Sequence, residues 1–75
     1  MAAHLSKRTL VLSGHQTSLA LEPEFWETLG TLAEQRGMSW AELVAEIDQQ
    51  RDVDNLASAV RVAILRQVME LHRTL

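Results

Sequence analysis

The residues best equipped for chemistry cluster near the start of the sequence. Gln16 and Ser18 lie two apart in His15-Gln16-Thr17-Ser18-Leu19-Ala20-Leu21, so in an extended chain their amide and hydroxyl point to the same side. Around them Lys7, Arg8, His4, His15 and the terminal amine are positive or can become so, and no acidic residue occurs from Met1 to Leu21. All ten carboxylates, beginning at Glu22, fall in the remainder together with five arginines. A basic first segment suits an anionic partner even though the formal net charge is −3, because local distribution matters more than the sum. On charge alone, the same residues also suit a short solvated tail.

Other chemistries find little support in the residue types. The absence of cysteine excludes thiol catalysis, thiolate metal sites and disulfide stapling. His4, His15 and His72 have no companions at metal-ligand spacing, and the carboxylates of the helical part read as solvated faces. No serine and histidine arrangement suggests a nucleophile and no glycine-rich loop would cradle a phosphate, so neither enzyme activity nor a metal or other cofactor is expected. No apolar run approaches the roughly 18 residues of a membrane span, and Leu10-Val11-Leu12 is too short for a signal-peptide core. The expectation is a cytoplasmic protein with no membrane partner.

Four elements would position these groups. With 75 residues, 47% of them hydrophobic, three glycines and one proline, the chain should fold as a single domain over 1–75. The stretch Thr9 to Leu21 reads as strand, but its apolar pairs Leu10/Leu12 and Leu19/Leu21 have opposite parity. A phase reset at Ser13-Gly14, either a glycine bulge or a two-residue hairpin turn, brings all four leucines to one face. Gln16, Ser18 and Ala20 then point the other way. Pro23 opens a first helix, about 23–36, with Phe25 or Trp26, Leu29, Leu32 and Ala33 as its stripe and Gly37 as its stop. Ser39-Trp40-Ala41-Glu42 has the form of a capping box, the strongest local signal in the chain, and starts a second helix, about 39–49, with Trp40, Leu43, Val44 and Ile47 inward. Behind Asp54 as N-cap, a third helix, about 55–72, carries Leu56, Val60, Ala63, Ile64, Val68 and Leu71, with a second stripe of Val62, Leu65 and Met69 beside it.

So broad an apolar face exceeds what one short helix needs in so small a monomer, which argues for burial between subunits. The strand adds a second argument for association. Its backbone groups must pair with something, and the simplest solution is the same strand of a second chain across a two-fold axis.

Strand, helix, helix with an intermolecular ribbon resembles the ribbon-helix-helix superfamily, the group containing Arc and MetJ. Thr17-Ser18-Leu19-Ala20-Leu21-Glu22-Pro23-Glu24-Phe25-Trp26 looks like the family's alternating strand running into its first helix. Arg36-Gly37-Met38-Ser39 is similar to its glycine turn and helix cap. The Ser13-Gly14-His15-Gln16-Thr17-Ser18 and Asn55-Leu56-Ala57-Ser58-Ala59-Val60-Arg61 stretches are most similar to a bacterial subgroup of small ribbon-helix-helix proteins.

The resemblance implies a mainly α fold, with a strand that pairs across an intertwined homodimer and a third helix outside the minimal fold. It also implies a transcriptional regulator, typically a repressor, that inserts its ribbon into the major groove of double-stranded DNA, with dimers able to join into higher oligomers. On that implication Gln16, Ser18, Arg8 and Lys7 contact bases, Gln16 pairing with adenine and Lys7 or Arg8 reaching guanine or phosphate. Ser39 and Trp40, at a helix N-terminus, and His15 contact phosphates. The alternative is an antitoxin or adaptor that keeps the fold with little DNA affinity, favoured by the acidic body and by Ala20, whose methyl is all it offers. A third reading, a helical dimerisation unit behind a flexible basic tail, expects no order before Pro23.

Overall fold

The left-handed backbone at Ser13 (φ 51°) and Gly14 (φ 81°) decides how the N-terminal segment is built. Two consecutive positive φ angles form the two-residue turn whose twist suits a hairpin. In the computed structural model, which describes residues 4–52 and 54–73, strands β1 (Ser6–Leu12) and β2 (His15–Leu21) pair antiparallel on either side of that turn. Helices α1 (Pro23–Gln35), α2 (Trp40–Gln50) and α3 (Leu56–Arg73) follow. The phase reset is therefore a hairpin, and the first strand begins three residues earlier than Thr9. A flexible tail before Pro23 is ruled out from Ser6 onward. The terminal amine of Met1 and the linker residue Val53 lie outside the described residues.

Pairing runs from Leu12 opposite His15 to Ser6 opposite Leu21. The partner that β2 requires thus lies, along one edge, within its own chain. Among the described residues the other edge of β2 has no strand beside it. Residues directly opposite each other share a face, so Leu10, Leu12, Leu19 and Leu21 turn towards the helices together. Leu19 and Leu21 are fully buried there.

The helix boundaries follow from local chemistry. Pro23 occupies the first turn of α1, where a missing N–H costs nothing. At its end Gly37 (φ 70°) lets the Gly37 and Met38 N–H groups donate back to the carbonyls of Glu34 and Ala33, the two bonds of a Schellman motif. Ser39 caps α2 through the full box: its Oγ accepts from the Glu42 N–H at 3.1 Å and its own N–H donates to Glu42 Oε1 at 2.8 Å. For α3 the cap is Asn55 rather than Asp54, since Asn55 Oδ1 accepts from the Ser58 N–H at 2.9 Å. Both residue types cap well and they are adjacent, so sequence alone could not separate them.

One core unites all five elements. Trp26, Leu29, Leu32 and Ala33 of α1 meet Leu43 and Val44 of α2, Val60 and Ile64 of α3, and the hairpin leucines. Trp26 takes the buried position in α1 and Phe25 packs partly buried at its edge. From Leu65 onward every described residue of α3 is exposed, Val68 and Leu71 included, although both continue the stripe of Val60 and Ile64.

Candidate nucleic-acid interface

The hairpin register sorts the candidate residues by face. Lys7, Thr9 and Val11 on β1 stand opposite Ala20, Ser18 and Gln16 on β2, and these six side chains form the outward face. All are exposed except Ala20, which is half-buried. Lys7, Gln16 and Ser18, three of the four residues expected to contact bases, are therefore brought together. Thr9, missed in the sequence reading, joins them. Its parity with Lys7 was the available signal.

Arg8, the fourth residue expected to contact bases, lies on the opposite face. It stands opposite Leu19 on the face turned to the helices. Its guanidinium lies 4.3 Å from the ring centre of Trp26 and 5.3 Å from that of Trp40, while the two indoles meet edge to face at 5.2 Å. The Trp26 Nε1–H donates to the Ser6 carbonyl at 2.7 Å, fastening the same strand. With Ser13-Gly14 as a hairpin turn, Arg8 has the parity of Leu10 and Leu12, so its direction follows from the turn. Its place over two tryptophans does not.

Electrostatics separate the ribbon from the body. The described hairpin residues include no carboxylate. At its foot Glu22 receives the Arg61 Nε–H at 2.9 Å, which holds the Glu22 carboxyl below the ordinary carboxylate range. Arg36 reaches Glu46 through two bonds of 2.7 and 3.0 Å and lowers that carboxyl in the same way. The Ser39 backbone N–H lowers Glu42. All three acids are held more strongly in the folded than in the unfolded chain. Their stabilisation is complete above the unfolded carboxylate pKa and disappears as pH falls through the lower folded values. The urea midpoint is therefore expected to fall on acidification through and below the ordinary carboxylate range. An unchanged midpoint there would show that these contacts contribute nothing.

The N-terminus of α2 is already partly satisfied. The Ser39 N–H, expected at a phosphate, is occupied by the Glu42 carboxylate. Trp40 is half-buried against Trp26, although its backbone N–H lies in the first helical turn, where no intrahelical acceptor exists. His15 is exposed beside the turn, opposite Leu12 and on the helix-facing side. Ser39→Ala is expected to cost about 1 kcal/mol of stability by removing the cap, measurable as a lowered urea midpoint with unchanged slope.

Among the described residues no group of three or more histidines, aspartates or glutamates could hold a metal ion, and no helix is long and apolar enough to cross a membrane.

Comparison with known proteins agrees with the fold. A family model described as a ribbon-helix-helix domain matches residues 5–68. Among solved structures, an uncharacterized protein from Bordetella pertussis Tohama I is similar, with a TM-score of 0.79 and 29% sequence identity. The similarity covers 97% of this chain and 63% of that one, so this chain spans less than two thirds of its neighbour's length. No curated protein matches.

Proposed function

We propose that this chain, which belongs to the ribbon-helix-helix domain family, is a sequence-specific DNA-binding transcriptional regulator that acts as a homodimer. The observation that carries this reading is the outward face of the hairpin, where Lys7, Thr9, Gln16 and Ser18 present donors and acceptors on a ribbon without carboxylates. A two-stranded ribbon fits the major groove, whose base edges differ in donor and acceptor pattern. Successive outward residues of a strand stand about 7 Å apart, close to two base-pair steps of about 3.4 Å. Gln16 and Ser18 therefore address base pairs two steps apart.

Dimerisation uses the outer edge of β2. A groove lies along it, between Ser18, Leu19 and Ala20 on one side and Asn55, Leu56 and Ala57 at the start of α3 on the other. Edge backbone groups are donors and acceptors in search of a strand, and the same edge of a second copy supplies one. Gln16 and Ser18 of both copies then stand on the two central strands, with each Lys7 near the flanking phosphates.

The test is selection from random duplex DNA by mobility shift. A pseudo-palindromic sequence should be enriched; recovery of no enriched sequence refutes the reading. A second reading rests on the acidic helices, which carry seven carboxylates against one arginine between Glu22 and Gln50. It makes the chain an antitoxin or adaptor, and would be favoured by one stoichiometric protein partner together with only non-specific DNA affinity.

A further inference from the structure

The chain carries more surface than a self-contained monomer of its mass. Its accessible area is 5520 Å² at 8.4 kDa, against about 4,600 Å² for a compact folded monomer of that size. Its radius of gyration, 12.4 Å, likewise exceeds the roughly 11 Å expected for its length. The excess, roughly 900 Å², is close to the area of about 800 Å² that one partner contributes to a stable interface.

That surplus is apolar where α3 outruns its own core. Val62, Leu65, Val68, Met69 and Leu71 are 42–55% exposed, and they account for five of the seven exposed large hydrophobic residues described. Val62, Leu65 and Met69 fall at i, i+3 and i+7, the seam spacing of a helix packed against another helix. Phe25 of α1 borders the same surface and closes a shallow groove with Val62, Leu65 and Val68.

We infer that the exposed face of α3 is an interface between two copies of this chain, separate from the β2 edge. Charge as well as area argues for a second copy. Glu24 stands at the α1 rim of the patch and Arg66 at the α2 rim. Neither has an ion-pair partner among the described residues. A two-fold axis parallel to α3 sets the Glu24 rim of one copy against the Arg66 rim of the other, twice over, while the apolar stripes face each other. This interface is independent of DNA binding. If ribbon edges also pair, it joins dimer to dimer.

Sedimentation equilibrium of the full chain tests this against a Leu65→Glu/Met69→Glu variant with retained helical circular dichroism. The variant's mass should be half that of the parent. Equal masses overturn the proposal, including the case in which a ribbon-edge dimer persists in both. Should the double variant fail to fold, oxidative cross-linking decides, since the sequence has no native cysteine. Met69→Cys should form disulfide-linked pairs at least tenfold faster than Val11→Cys, an exposed apolar position on the outward hairpin face. Equal rates overturn the proposal.

Discussion

Trp26→Ala is expected to lower the free energy of unfolding by about 3–5 kcal/mol, the usual cost of removing a buried aromatic side chain. A chain of this length has a total stability of roughly 4–11 kcal/mol. The variant should therefore be at or near the limit of folding. Trp26 is 4% exposed and joins three elements at once: its ring packs in the core, its edge-to-face contact holds Trp40 of α2, and its Nε1–H holds the first residue of β1. Trp26→Phe keeps most of the burial and loses the bond to Ser6, so it should cost considerably less. Arg8→Met keeps an aliphatic stem over the indoles and loses the cation, worth about 0.5–1 kcal/mol at an exposed site. Urea unfolding followed by circular dichroism gives the order Trp26→Ala, then Trp26→Phe, then Arg8→Met. A loss below 1 kcal/mol for Trp26→Ala would remove the tryptophan from its role as the join between ribbon and helices.

That join marks the boundary of what the sequence makes legible. Local chemistry announces itself in neighbouring residues: Ser39 with Glu42 is a cap wherever it occurs, Gly37 stops a helix, and alternating leucines must share a face or break phase. Such signals mark the turn at Ser13-Gly14 and the order of strands and helices, though not the start of β1 at Ser6 or the choice of Asn55 over Asp54 as cap. What stayed hidden depends on distant partners. Ser6-Lys7-Arg8 has no alternating apolar residues, so its inclusion in β1 is decided by backbone pairing with Leu19, Ala20 and Leu21. Arg8 looked like a DNA ligand because a cation in a basic segment suits phosphate or guanine equally well. Only the fold shows that two tryptophans, on separate helices, lie beneath it. In α3 the period identified the apolar stripes, but where the helix leaves its own core depends on the lengths of α1 and α2 rather than on residues within α3.

The outward face makes the sharper functional prediction, because contact residues and positioning residues respond differently to salt. Gln16→Ala/Ser18→Ala should weaken binding to the selected sequence by about 30- to 25,000-fold per dimer, since each of the two Gln16 side chains loses a bidentate base contact worth about 1–3 kcal/mol of discrimination. Affinity for unrelated duplex should barely change. Lys7→Ala should weaken both equally and reduce the slope of log affinity against log salt by about one for each lysine removed, two per dimer. Arg8→Ala separates the two possible roles of a neighbouring cation. Held over Trp26 and Trp40, it should lower stability and alter tryptophan fluorescence while leaving the salt slope unchanged. A reduced slope for Arg8→Ala with unaltered fluorescence would instead put Arg8 on the DNA. An unchanged slope for Lys7→Ala, with no loss of discrimination for Gln16→Ala/Ser18→Ala, would clear the hairpin face of any part in DNA contact, because those three side chains carry most of its capacity to recognise a base or neutralise a phosphate.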